Sequence, residues 1–199
     1  MVRKAGLNEA IVVRAAVDLI DQEGPGALSL ARLAERLGVR SPSLYKHITG
    51  LEGLLQGIAV WGAQELARRM SKSAVGKSGD EAVLAIAQAY RDFAKDHPGI
   101  YPLLVQAPDP SQAALEAASV EILAIIQAVL APFGLGERES LHAIRGLRSL
   151  VHGFVSLETA GGFGMPLDID ESFHYLMERY LQGLRQFDAA RMEKPLHEA

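Results

Sequence analysis

Three observations predict an all-α fold. Apolar residues recur at helical spacing along nearly the whole chain, no segment alternates with a period of two, and capping residue types bracket the periodic stretches. At 199 residues the chain can form one ordinary domain or two small ones, and a chain of this size buries about 70% of its unfolded surface without staples. Cysteine is absent, which excludes disulfides, thiolate zinc sites and cysteine nucleophiles and fits a reducing cytoplasm.

Asn8 caps a first helix whose stripe is Ile11, Val12, Ala15, Ala16, Leu19 and Ile20, and the GPG run at 24–26 stops it. Ser29 caps a second helix carrying Leu30, Leu33, Ala34 and Leu37, and Gly38 suits its left-handed end. Ser41 and Pro42 have the chemistry of an N-cap and a first helical position, opening a third helix with Leu44, Tyr45 and Ile48 that closes at Gly50. A fourth helix runs from Leu51 to about Met70, with Leu54, Leu55, Ile58, Trp61 and Leu66 as its apolar residues, before SKSAVGKSGD interrupts the periodicity. Further helices are expected at about 80–96, 99–106, 111–132, 137–161 and 169–188, separated by HPG, PFGLG and GGFGMP. Asp109, Pro110 and Gln112 are placed as cap, first position and capping-box partner, and the tail RMEKPLHEA is expected to fray. The domain edges follow: a three-helix unit at 1–50, a connecting helix at 51–72 and a helical bundle at 73–199.

The formal net charge is −4, but its distribution is uneven. Residues 1–72 hold 10 Lys and Arg against 7 Asp and Glu, whereas residues 73–199 hold 10 against 17. The basic end therefore comes first, a weak pointer to nucleic acid that needs a motif beside it. No apolar run is read as approaching the length of about 18 residues that a membrane span needs, and MVRKAGLNEA lacks a signal core, so a cytoplasmic protein with no membrane partner is expected.

LSLARLAERLGVRSPSLYKHITG supplies the motif: a helix, a Gly-containing turn of about four residues and a second short helix. Leu33, Ala34, Leu37, Val39, Leu44 and Ile48 can all point inward, leaving Arg40, Ser41, Ser43, Lys46 and His47 outside. That exposed set suits DNA. Lys46 can pair with a phosphate, Ser41 and Ser43 can donate to phosphate or a base edge, and Arg40 can reach a phosphate or a guanine edge. The positive end of the third helix is a further attraction for an anion.

The first 60 residues resemble the DNA-binding domain of the TetR family, with Ala15 and Ala16, Gly24, Ser29, LARLAERLGV, RSPSLYKHI and then Leu51, Leu54 and Leu55 at the family's offsets. The resemblance implies that Ser41, Pro42, Ser43, Tyr45, Lys46 and His47 occupy DNA-contact positions, Tyr45 and His47 against the phosphate backbone. Two positions depart from the pattern. Leu51, followed by Glu52, stands where many members carry a phosphate-binding Lys, and Ala31 stands where some place a base-reading side chain. Phosphate anchoring then falls to Lys46, Tyr45 and His47, with Arg3, Lys4 or Arg32 in support.

For the later helices, SLVHGFVSLETAGGFG resembles a C-terminal subclass marked by Trp-His-Gly, with His152 and Gly153 matching and Val151 in place of the Trp. In the 137–161 helix, Leu141, Ile144, Val151 and Val155 lie on one side and Leu147, Leu150, Phe154 and Leu157 on the other. The last helix offers Phe173, Leu176, Met177, Tyr180 and Leu184, with Gly183 permitting close approach. Both faces can fill a monomer core, or one can face a second copy. The family resemblance favours a homodimer using Leu147, Phe154, Phe173, Leu176, Tyr180, Gly183 and Leu184. A cavity for a small, largely apolar effector would draw walls from Trp61, Tyr90, Phe93, Tyr101 and Leu104 and anchors from Gln64, Gln127, Arg148 and His152.

The competing class is a helical-bundle enzyme or small-molecule carrier. HExxH, GxxxxGK[ST], GxSxG and GxGxxG are all absent and the six histidines are scattered, so neither a metal nor a cofactor is expected. The sequence reading is therefore a non-enzymatic regulator that binds a near-palindromic double-stranded operator as a homodimer, under small-molecule control.

Overall fold

In the computed structural model, which describes residues 6–109 and 111–192 with the last seven as backbone only, eight α-helices and three short 3-10 turns follow one another among the described residues. The chain divides into two compact units. Unit 1 comprises Met1–Glu65 with Asp96–Ser119, and unit 2 comprises Leu66–Lys95 with Val120–Ala199. The divisions fall inside helices rather than at residues 50 and 72, because a long helix can supply core residues to one unit and then to the next.

Unit 1 begins with α1 (Glu9–Glu23), whose first turn is capped by Asn8 Oδ1 accepting from Ile11 N–H at 2.9 Å, and which ends at Gly24 with φ +84°. A 3-10 turn over Pro25–Ala27 leads to α2 (Leu30–Leu37), where Ser29 Oγ accepts from Arg32 N–H at 3.2 Å. The α2 stripe joins Val12, Ala16 and Ile20 of α1, Leu44, Ile48, and Leu54 and Ile58 of α4 (Gly50–Ala74) in one buried core, with Ile100 also part of it. α1 and α4 approach closely at Gly57, where a Cβ would lie 2.8 Å from Val13 Cγ2.

The third helix, α3, is shorter than the sequence suggested. It covers Ser41–Leu44 with Arg40 at the N-cap, and Tyr45–His47 form a turn. Leu44 C=O accepts from both His47 and Ile48 N–H, at 2.8 and 3.0 Å, so the chain keeps turning without a regular ladder. Gly50 does not terminate α3. With φ +81° it begins α4.

Unit 2 contains the later part of α4, then α5 (Gly79–Asp96), most of α6 (Ala113–Leu130), α7 (Glu137–Thr159) and α8 (Ile169–Met192). Its core includes Val83, Ile86, Phe93, Ile144, Leu147, Val151, Phe154, Phe173 and Met177. Arg91 is buried among them. Its Nε and Nη2 donate to the two Glu158 oxygens at 2.7 Å each, and Nη2 also reaches Asp170 at 2.7 Å. Its guanidinium carbon lies 5.4 Å from the ring centre of Phe154 and 4.8 Å from that of Phe173. Lys95 Nζ, at 2.8 Å, completes the ring of donors around Glu158. These donors, Arg91 foremost, hold the Glu158 carboxyl below the usual carboxylate range, against a desolvation that opposes them.

Other sequence expectations shift. The segment at 99–106 is a 3-10 turn over Tyr101–Leu104, and α6 starts at Ala113 rather than 111. Asp109 Oδ1 accepts from Ser111 N–H at 2.8 Å and Gln112 Oε1 accepts from Asp109 N–H at 3.3 Å, so the expected reciprocal capping bonds form, in a turn that precedes the regular helix. Pro110, Arg3, Lys4 and the tail from residue 193 lie outside the described residues. The reading that no apolar run reaches membrane-span length is corrected: Ala113–Phe133 is long and apolar enough by length and composition, with 28% of its window buried.

Candidate nucleic-acid interface

The helix-turn-helix is held by its own backbone. Gly38, at φ +65°, lets the chain reverse after α2 while its N–H bonds to Glu35 C=O at 3.0 Å, and Val39 N–H then bonds to Ala34 C=O at 3.0 Å, the pattern of a glycine-closed helix end. Leu33, Ala34, Leu44 and Ile48 are buried and Leu37 and Val39 partly so, as their spacing required. The opposite side presents Arg40, Pro42, Tyr45 and Lys46 as exposed residues and Ser41, Ser43 and His47 as half-buried ones. Tyr45 is 60% exposed, a poor place for an aromatic ring unless something covers it.

The charges on this unit are unequally free. Arg14 pairs with Asp18 at 3.1 Å and lies over Trp61, Arg32 is ion-paired with Glu23, and Arg36 donates to Gln22 at 2.7 Å. Arg32 is thus tied back to α1 and is a weaker phosphate anchor than its sequence position suggested. Arg40 and Lys46 have no ion pair among the described residues, so the uncompensated cations sit at the turn and just past α3. A helix of one turn sums too few peptide dipoles to act as an anion site.

Thr49 was not singled out from the sequence. Its exposed hydroxyl lies against Gly53, where a side chain would collide with it. Reading Gly50 as the end of α3 hid Thr49, although Ser or Thr ahead of an apolar helix is a cap signal. Thr49 and His47 border a groove of about 700 Å³ in unit 1 that also includes Glu9, Gln56, Trp61 and Gln64. Trp61 is half-buried, with the His97 ring edge-on at 5.2 Å, and His97 Nδ1 lies 2.8 Å from Asp21.

The residues proposed as effector contacts divide between the units. Trp61, Gln64, Tyr101 and Leu104 belong to unit 1, and Tyr90, Phe93, Gln127, Arg148 and His152 to unit 2. Phe93 and Tyr101 are buried, Trp61, Tyr90, Leu104 and His152 are intermediate, and Gln64, Gln127 and Arg148 are exposed. Of the proposed dimer residues, Leu147, Phe154, Phe173 and Leu184 are buried in unit 2 itself, where they are core side chains. Leu176 and Tyr180 are half-buried, and Gly183 is exposed. Tyr180 O–H donates to Ala143 C=O at 2.7 Å, and burial pushes the phenol well above its usual range. A shallow apolar groove of about 360 Å³ runs beside it, formed by Leu135, Ala143, Tyr180, Gly183 and Leu184 with His142 and Arg179 at its edge.

Comparison with known proteins agrees with this geometry. Residues 12–58 match the family profile described as bacterial regulatory proteins of the tetR family, and residues 83–180 match the tetracyclin repressor-like C-terminal domain. The chain is 38% identical over 183 residues to the HTH-type transcriptional regulator YobS of Bacillus subtilis strain 168, covering 91% of this chain and 94% of that protein. Among solved structures, a protein of unknown function from Rhodococcus sp. RHA1 shares the fold with a TM-score of 0.77 at 22% identity, covering 94% of this chain and all of that one. BioQ, also solved from Mycobacterium smegmatis, shares the fold when bound to its double-stranded DNA operator, with a TM-score of 0.65 at 22% identity and coverage of 90% and 99%. The chain therefore belongs to the TetR family of bacterial transcriptional regulators, a family of DNA-binding proteins and not of enzymes.

Proposed function

We propose that this regulator is a cytoplasmic repressor that binds a near-palindromic operator as a homodimer and releases it when a small, largely apolar effector binds. The observation that carries the reading is the free cationic edge of unit 1: Arg40 and Lys46, with Tyr45 exposed between them in the chain, on a helix-turn-helix whose other guanidiniums are tied to their own unit. Lys46, Tyr45 and His47 hold phosphates, Pro42 sets the approach of α3, and Arg40, Ser41 and Ser43 reach base edges. Two copies present two such edges to half-sites about 34–36 Å apart or a multiple of that.

The dimer seam uses the exposed surface of α7 and α8 rather than their buried stripes. The apolar groove beside Tyr180 and Gly183 supports this, as does the 50% exposure of Leu141 on the same helix as Ala143. The route for effector control is α4, which begins among the core residues of the DNA-reading unit and continues into the other unit. Selection of bound sequences from random duplex DNA at fixed salt tests the reading. A two-fold symmetric consensus is expected, and recovery of unrelated sequences would refute it.

A further inference from the structure

We infer that His97 is a positioning residue for DNA reading: bonded to Asp21, it fixes the segment 97–100 as a wedge between the last turn of α1 and the middle of α4. The inference rests on the DNA reading of the helix-turn-helix and needs neither the effector nor the dimer. Its residues all lie in unit 1, which the chain re-enters at Asp96, the last residue of α5. His97 Nδ1 lies 2.8 Å from Asp21 Oδ2, and because a carboxylate only accepts, Nδ1–H is the donor. The same ring stands edge-on to Trp61 of α4, with ring centres 5.2 Å apart. At Gly99 a Cβ would lie 2.5 Å from Ile20 Cγ2 and 3.2 Å from Pro25 Cδ, so the backbone itself is pressed onto the end of α1. Ile100, fully buried, joins the core that α1, α2, Leu44 and α4 share, and at Gly62 of α4 a Cβ would lie 3.0 Å from its Cγ2.

The wedge has little slack. His97 C=O accepts from both Ile100 and Tyr101 N–H, at 3.0 and 2.9 Å, so the segment is a closed turn rather than a free linker. His97 is 8% exposed, and among the described residues of unit 1 no other histidine or charged residue is buried. An apolar side chain there would pack without the cost of desolvating an imidazole and a carboxylate. What the polar pair adds is a single register, because the bond forms at one setting of the wedge against α1. Register matters to reading. The core that receives Ile100 also carries Leu33, Ala34 and Leu44 of the helix-turn-helix, so a wedge that slides changes the angle between α1 and α4 and with it the pose of Arg40, Ser41 and Ser43 toward DNA. Phosphate contacts made by flexible side chains tolerate such a change, whereas contacts to base edges, confined to hydrogen-bond distance, do not.

The test compares two duplexes on the full chain, the consensus that selection recovers and a random-sequence duplex of the same length, each titrated by gel shift at one salt concentration. His97→Leu should lower the ratio of consensus to random affinity roughly fivefold, the size expected of a residue acting on a site it does not touch. The random duplex itself should bind as before. His97→Asn, which carries its amide nitrogen on the same Cγ that bears Nδ1, can still donate to Asp21 and should restore most of the ratio. Asp21→Ala reaches the bond from its partly exposed partner, in a helix that favours Ala, and should lower the ratio equally even if His97→Leu fails to fold. The double variant should be no worse than either single one, since both cut one bond. The inference is overturned by equal losses on both duplexes, which a merely structural role would give, by a native ratio in Asp21→Ala, by additive single losses, or by an Asn variant as poor as Leu. A native chain that shows no preference between the duplexes would instead refute the DNA reading on which the inference rests.

Discussion

Lys46 carries the most direct test of how this chain holds DNA, because its ammonium is exposed and has no ion pair among the described residues. A flexible point charge near phosphate contributes affinity without reading sequence, so Lys46→Ala should lower the salt slope of operator binding by about 2 for a dimer, one per copy, and leave the ranking of operator variants unchanged. Arg40→Ala and Ser43→Ala should reorder that ranking if their side chains meet base edges. Gel-shift titration over a salt series measures both effects, and an unchanged slope with unchanged affinity removes Lys46 from the interface. A second residue-scale test concerns folding. Glu158→Gln leaves Arg91, only 1% exposed, with Asp170 as its one remaining carboxylate, and breaking a buried pair in this way costs about 3–5 kcal/mol. The pH dependence has a definite sign. Arg91 holds the folded Glu158 carboxyl below its ordinary value, so the unfolded chain binds more protons through that window. The resulting stability is fully present above the unfolded carboxyl's value of about 4.3 and is lost as pH falls through the depressed folded one. Urea unfolding at neutral and acid pH should therefore show the native chain and Glu158→Gln converging in acid. A gap that stays constant would mean that Glu158 does not titrate as the ion pair requires.

Among the elements, α4 packs on α1 at half-buried Gly57, and Gly57→Ala would set a methyl 2.8 Å from Cγ2 of buried Val13. Overpacking of this kind costs about 1–3 kcal/mol, more than the improved helix propensity of Ala returns. Thermal melting should show the loss, and an Ala variant more stable than the native chain would mean that the two helices can part freely. The same elements show what sequence patterns can carry. α2 was legible end to end because Leu30, Leu33, Leu37, the Ser29 cap and the Gly38 stop are all local signals. The end of α3 was not, because Leu44 and Ile48 are four residues apart whether the chain between them is a helix or the irregular turn that Leu44 C=O closes. Arg91 went unnoticed for the opposite reason. It lies four residues after buried Ala87, on the apolar stripe of α5, which marks an unusual charge, but its partner Glu158 is 67 residues away and no local pattern joins them. In α7 and α8 apolar spacing identified buried residues such as Ile144 and Met177 together with exposed ones such as Leu141, and spacing cannot separate a side chain facing its own core from one facing another copy. Phe154 and Phe173, with ring centres 5.0 Å apart, were therefore assigned to a seam when they belong to the core of unit 2.

At the scale of the whole molecule the proposed homodimer is the quantity to test, because two half-sites can be read together only by two copies held at a fixed spacing. Charges placed at Leu184 or Tyr180 would test this poorly: Leu184 is a core residue and Tyr180 is bonded to Ala143, so loss of the dimer could follow from loss of the fold. Gly183 separates the two. It is exposed on α8, it borders the apolar groove, and a Cβ built there meets nothing within 4 Å, so the single chain can accept a larger residue. Gly183→Glu should even strengthen the helix by about 0.5–1 kcal/mol through its propensity. In a two-fold seam, however, each copy contributes the same residue, so the substitution places two carboxylates in one apolar contact. The expected result is a chain with undiminished helix content and melting temperature that sediments as a monomer at micromolar concentration. Its affinity for a full operator should then fall toward that for a single half-site, while the salt dependence per copy stays the same because the DNA-reading face is untouched. Sedimentation of Gly183→Glu as an intact dimer, with native operator affinity, would move the seam away from this surface of α8.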